Sequence, residues 1–118
     1  MPQHFPHLFQ PIRIGKKQSP NRVMRLATST HTGKNGLATD QTIALYRRLA
    51  RGGSGVVVSE SMRVHPSNLG RNSNAMLCFR KEMIPSLSEV SRAVQAEGSL
   101  FVVQLNHGGR QHHGAASP

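Results

Sequence analysis

Three short apolar runs stand out along the chain, and none of them alternates with polar residues. They lie at residues 23–27 (apolar but for Arg25), at 55–58, and at 100–103. Non-alternating runs of this length predict strands covered on both faces, as in a parallel sheet. We place those strands over 23–27, 55–61 and 99–105. Each passes abruptly into polar residues: Thr28-Ser29-Thr30-His31 after the first, Ser59-Glu60-Ser61 at the end of the second. After the third come Gln104, Asn106, His107, the Gly108-Gly109 pair and Arg110. Hydrogen-bonding side chains at the carboxyl ends of buried strands are where parallel α/β sheets hold ligands.

Between the runs the periodicity changes to that of helices. Ile43, Leu45, Tyr46 and Leu49 supply one apolar face to a helix over 41–51, with Thr39 or Asp40 as N-cap and Gly52-Gly53 as its end. Ile84, Leu87, Val90 and Val94 do the same for a helix over 81–97, which Gly98 closes. Residues 32–39, with two glycines and an Asn-Gly pair, read as a loop, and 62–74 as a longer polar loop. At the start, residues 1–10 predict an extended lead-in anchored by Leu8 and Phe9. Residues 11–15 predict a brief hairpin strand with 16–20 as its turn, and 112–118 a small-residue tail. Strand starts offset by roughly 33 and 45 residues suit βα crossover units. Three such strands leave an α/β sheet unfinished, since a (β/α)₈ barrel takes about 250 residues and a doubly wound sheet also continues past three strands. The pattern therefore predicts the N-terminal part of a longer protein.

At 118 residues the chain holds one domain at most. Lys and Arg number 15 against five acidic residues, a formal net charge of +10. That imbalance raises a non-catalytic module for nucleic acid or another anionic partner as the alternative reading. Its weakness is distribution: the basic residues come in ones and twos (Lys16-Lys17, Arg47-Arg48, Arg80-Lys81), without a dense run or interleaved aromatics. The single cysteine, Cys78, excludes an internal disulfide and suits a reducing compartment. Residues 1–11 contain no apolar signal core, and no apolar run reaches the roughly 18 residues of a membrane span. Cytoplasm is the expected location.

Several polar residues read as structural. Glu60 fits an ion-pair partner at the mouth of the sheet, with Arg22 or Arg110 as mates. His107 and Arg110 fit braces for the loop after the third strand, and His31 an exposed loop position. His107, His112 and His113 lack an acidic or cysteine companion, so no metal site is expected. No helix start follows Gly108-Gly109, which argues against a phosphate nest.

The segments LFQPIRIG and NRVMRLATST, then YRRLARGGSGVVVSESMRVHPSNLGR, then FVVQLNHGGRQ with its Gln-Leu-x-His-x-Gly-Arg pattern, occur in this order. From about Leu8 to Gln111 the chain resembles the N-terminal part of the old yellow enzyme family, the FMN-dependent NADH:flavin oxidoreductases. The resemblance implies an incomplete (β/α)₈ TIM barrel, here an N-terminal hairpin plus about three βα units, with FMN across the carboxyl ends of the strands. It also implies hydride transfer from NADH or NADPH through the flavin to a small-molecule acceptor such as an activated alkene. By position, Ala27, Thr28 and Ser29 would line the isoalloxazine, with the Ser29 hydroxyl near the flavin O4. Ala27 stands where the family commonly has Pro, although a subgroup carries this Ala-Thr form. Ser61 would pack beside the ring, after the acidic position Glu60. Gln104 would bond the pyrimidine edge, where an amide can answer alternating C=O and N–H groups. The substrate-binding His/Asn or His/His pair, the proton-donating Tyr, the ring-contacting Arg and the phosphate-binding glycine loops are expected beyond residue 118. No catalytic residue is therefore assigned within the chain, which by itself is expected to be inactive. Substrate, NADH or NADPH preference and any homo-oligomer of the full-length protein are left open.

Overall fold

The computed structural model describes residues 4–69 and 74–111. The expected tail at 112–118 lies outside the described residues, as do residues 1–3 of the lead-in and 70–73 of the polar loop. The lead-in forms a turn rather than an extended segment: the Leu8 N–H donates to the Phe5 carbonyl at 3.2 Å. Leu8 and Phe9, expected as anchors, are 38% and 49% exposed. The segment is held through its main chain instead, by the Arg22 N–H donating to the Leu8 carbonyl at 2.9 Å. Next, β1 (Ile12–Ile14) pairs antiparallel with β2 (Lys17–Ser19). Residues 17–19 were expected as turn and are strand. Two residues suffice for the reversal because Gly15 adopts φ +60, a conformation open to glycine.

β3 (Met24–Arg25), β4 (Val56–Arg63) and β5 (Leu100–Asn106) make one parallel sheet in the order β3-β4-β5. α1 (Asp40–Arg51) and α2 (Ile84–Ala96) are the crossovers, and they pack on each other. Strands laid down in sequence order, with crossovers of one hand, put both helices on one face. That is the winding of a barrel; a doubly wound sheet would reverse direction and use both faces. Tyr46, Ala50, Val57, Met62, Met76, Val90 and Val94 form the core between sheet and helices. Among the described residues, no helix is long and apolar enough to cross a membrane.

Three boundaries differ from expectation. β3 stops two residues early, and beyond it the Arg25 guanidinium donates to the Val58 carbonyl at 3.1 Å. β4 continues two residues past Ser61, because Met62 enters the core and Arg63 pairs with Asn106. The first turn of the second helix, Lys81–Met83, is 3₁₀, and the α-helix starts with Pro85 in its first turn, where the missing N–H costs nothing. For α1 the cap is Thr39: its hydroxyl accepts the Thr42 N–H at 3.2 Å, and the Thr42 hydroxyl accepts the Thr39 N–H at 3.0 Å.

The amino ends of the strands are sewn together by side chains. The Asn21 amide donates to the Gly53 carbonyl at 2.8 Å, and its oxygen accepts the N–H groups of Val23 (3.0 Å) and Gly55 (2.9 Å). The Ser19 hydroxyl donates to the Asn21 carbonyl at 2.7 Å, and the Ser99 hydroxyl to the Ser54 carbonyl at 2.6 Å. Gly55 sits so tightly in this knot that a Cβ there would collide with the Ser19 hydroxyl and lie 2.6 Å from the Asn21 side-chain oxygen.

Candidate functional site at the carboxyl edge of the sheet

The register between β4 and β5 is interrupted once. Val58 faces Val102, but the next pair is Ser61 with Gln104. Two residues of β4, Ser59 and Glu60, therefore oppose the single residue Val103, which defines a β-bulge. Its polar groups are taken up by side chains. The fully buried Ser59 hydroxyl accepts the Gln104 N–H at 3.0 Å and donates to the Glu60 carbonyl at 2.7 Å. The Glu60 N–H, turned out of the ladder, donates to the Tyr46 hydroxyl at 2.5 Å. Beyond the bulge, Ser61 and Gln104 are cross-strand neighbours on one face, and Arg63 and Asn106 follow.

Among the described residues, the side chains of Ser29, Ser61 and Gln104 make no hydrogen bond. Thr28 and Ser29 are exposed and Ala27 half-buried on the segment that leaves β3, and the Thr28 hydroxyl reaches only the Leu26 carbonyl, at 3.5 Å. On the same edge the sheet brings Ser61 and Gln104 side by side. The paired Val58 and Val102 precede them on that face, Val102 being 44% exposed. The edge thus offers unpaired donors and acceptors above an uncovered apolar floor. A concavity of about 620 Å³ lies beside the loop 31–39 and the start of α1, lined by His31, Thr32, Lys34, Asp40 and Asn74 among others. It includes none of the five predicted residues.

Glu60, 2% exposed, accepts from the Thr30 hydroxyl at 2.9 Å. Burial pushes its carboxyl above the usual range, and the Thr30 hydrogen bonds and the His31 and Arg25 charges only partly oppose this. Its charged neighbours are thus His31 and Arg25. The expectation of Arg22 or Arg110 fails because register puts Arg25 beside Val57 and the bulge turns Glu60 toward that same region. Arg25 also stacks over the Tyr46 ring, 5.8 Å from its centroid. Burial raises the Tyr46 phenol as well.

The loops after β4 and β5 are tied to each other. The His65 Nδ1 and Ser67 hydroxyl lie 2.8 Å apart, and the same hydroxyl lies 3.1 Å from His107 Nε2. The Gly109 N–H donates to His107 Nδ1 at 2.9 Å, so His107 braces this loop as expected. Asn68, buried, donates to the Asn106 carbonyl at 3.3 Å. Sequence reasoning treated Ser59 only as part of a polar strand end and Tyr46 only as core. The available signal was a hydroxyl set between an apolar run and a buried acid.

The sequence profile of the NADH:flavin oxidoreductase / NADH oxidase family matches residues 7–117. Over 110 residues the chain is 38% identical to a metal reductase of Desulforamulus reducens, covering 92% of this chain and 16% of that protein. It superposes on 2-naphthoyl-CoA reductase in complex with 2-naphthoyl-CoA with a TM-score of 0.85 at 32% identity, over 92% of this chain and 17% of the other. Morphinone reductase in complex with tetrahydroNAD gives a TM-score of 0.80 at 25% identity, over 92% and 29% respectively. The chain thus spans between about a sixth and just under a third of the length of these proteins. Its sheet is an incomplete (β/α)₈ barrel, and the edge described above is the carboxyl end of its strands.

Proposed function

The chain belongs to the NADH:flavin oxidoreductase / NADH oxidase family, and from that membership we propose that the protein is an FMN-dependent oxidoreductase of the old yellow enzyme type. In this reading it moves hydride from NADH or NADPH to a small-molecule acceptor such as an activated alkene. The observation that carries the reading is the pair Ser61 and Gln104, set side by side with side chains that bond to nothing else among the described residues. The donor set fits a flavin. An amide supplies both N–H and C=O to the alternating groups of a pyrimidine edge. Small residues, Ala27 and Ser61, leave space for a flat ring, and Val58 and Val102 supply an apolar surface under it. Bound FMN supplies the two-electron chemistry. Within this chain, Gln104 and Ser29 would hold the ring through hydrogen bonds, and Ala27, Thr28 and Ser61 would shape the surface beside it. We assign no proton donor and no substrate-activating group to these residues. A single free cysteine, Cys78, suits the reducing cytoplasm where NADH and NADPH are drawn on.

The test is flavin affinity. Full-length protein carrying this segment is prepared with FMN, desalted and titrated, alongside Gln104→Ala. Loss of a hydrogen-bonding amide should weaken FMN binding by about tenfold and shift the visible spectrum of what remains bound. Equal affinity and an unchanged spectrum in the variant would remove Gln104 from the site and the reading with it.

A further inference from the structure

We propose that Ser59 is the positioning residue of this edge: its hydroxyl holds the β-bulge that puts Ser61, rather than Glu60, beside Gln104. The inference rests on the flavin reading for its consequence, though not for its geometry. If the ladder ran on without interruption from Val58 opposite Val102, Glu60 would stand opposite Gln104 and Ser61 opposite Leu105. A one-residue slip exchanges the faces of a strand. The carboxylate would then occupy the ligand face, and the small hydroxyl would turn toward the helices. The bulge decides which of these two residues a ring meets.

A bulge must be held, because it takes main-chain groups out of the ladder. Here the Gln104 N–H and the Glu60 carbonyl both bond to one hydroxyl, at 3.0 and 2.7 Å. A serine hydroxyl has one proton to give and lone pairs to accept with, so it can fill both roles at once. Ser59 is fully buried, so water cannot substitute for it. Its hydroxyl also bonds to the main chain of Gln104, the residue whose side chain faces the ligand. Ser59 itself touches no ligand: it acts through the placement of Ser61 and Gln104.

Two readouts separate this role from general stability. Amide exchange at Gln104 reports the bulge without any flavin, and a double-mutant cycle with Gln104 reports positioning. Ser59→Ala should speed exchange of the Gln104 N–H and weaken FMN binding, each by about tenfold or more, while Ser59→Thr, which keeps the hydroxyl, should stay within about threefold of wild type in both. Adding Gln104→Ala to Ser59→Ala should weaken FMN binding by no more than about twofold further, because both changes remove the same contact. Should Ser59→Ala fail to fold, Ser59→Cys replaces the hydroxyl by a larger, only weakly hydrogen-bonding thiol, and its contrast with Ser59→Thr carries the same comparison. Unchanged Gln104 exchange in the hydroxyl-free variant overturns the inference whether or not flavin binds. Additive losses in the cycle also overturn it, leaving Ser59 a purely structural residue. Failure of the full-length wild-type protein to bind FMN, with Gln104 exchange accelerated as expected, instead overturns the flavin reading and leaves the bulge assignment standing.

Discussion

Removing the hydroxyl of Tyr46 tests how the bulge is satisfied, since that oxygen takes the Glu60 N–H and also meets the Arg25 side chain. The ring packs edge-on against Phe101, centroids 5.8 Å apart at 81°, and Tyr46→Phe leaves that contact in place. What disappears is the acceptor for the Glu60 N–H at 2.5 Å. This amide lies in the bulge, faces no strand carbonyl and belongs to a residue 2% exposed. An orphaned buried donor costs its desolvation, about 1–3 kcal/mol, compared with about 1 kcal/mol for an average bond whose partners can turn to water. Tyr46→Ala should cost more, about 3–5 kcal/mol, because it adds a cavity in the core. Urea unfolding of the three proteins measures this, read as the change in midpoint at constant slope. For slopes of about 1–3 kcal/mol/M the Phe variant should lose about 0.3–3 M in midpoint. If Tyr46→Phe matched wild type within about 0.5 kcal/mol while Tyr46→Ala fell as expected, the Glu60 amide would have another partner. The account of how the bulge is satisfied would then be wrong.

Two further perturbations probe the opposite end of the sheet and the buried acid. Gly55→Ala pushes a methyl group into the Ser19–Asn21 knot, against the Asn21 carbonyl and two side-chain oxygens held in hydrogen bonds, and should destabilise by about 1–3 kcal/mol or more in the same unfolding assay; a neutral result would mean that the knot is loose. Glu60 holds its proton more tightly folded than unfolded, since its carboxyl is raised above 4.5 by burial. Its contribution to stability is therefore fully present below pH 4.5 and is lost as the pH rises through the raised folded value. The stability difference between Glu60→Gln and wild type, measured across that window, should shift in favour of the variant as pH rises, and a difference that is flat or runs the other way refutes the assignment.

Which parts of this arrangement could be read from sequence follows from what periodicity can encode. The three apolar runs locate β3, β4 and β5 because buried parallel strands need them. The polar residues after each run point to the carboxyl edge for the same reason. Parity is where the reading fails. An uninterrupted alternation from Val57 would put Glu60 on the opposite face, and nothing in the sequence singles out Arg25 over Arg22 or Arg110 as its neighbour. The bulge adds a residue, reverses parity, and brings Glu60 to the side of Arg25 and Tyr46. A bulge leaves no composition signature, since it is a property of register between two strands 40-odd residues apart. The same holds for the hairpin. The glycine at position 15 is visible, but that two residues are enough to turn the chain depends on its φ of +60.

The two ends of the sheet use polar residues in opposite ways. At the amino end, Ser19, Asn21 and Ser99 spend their side chains on main-chain groups of neighbouring segments, and Gly55 has no room to spare. At the carboxyl end, Ser59, Tyr46 and Thr30 stand behind the sheet edge and support Glu60 and Gln104, while Ser29, Ser61 and the Gln104 amide in front stay unpaired among the described residues. A binding edge needs both halves: fixed supports, so that the contacting groups do not have to be ordered on binding, and open valences for the ligand to fill. Burying a carboxyl such as Glu60 works against folding at neutral pH, and stability alone gives no reason to keep it there. The bulge supplies one. Residue 60 must turn inward for residue 61 to face out beside Gln104, so the cost borne by the acid comes with the register that builds the site.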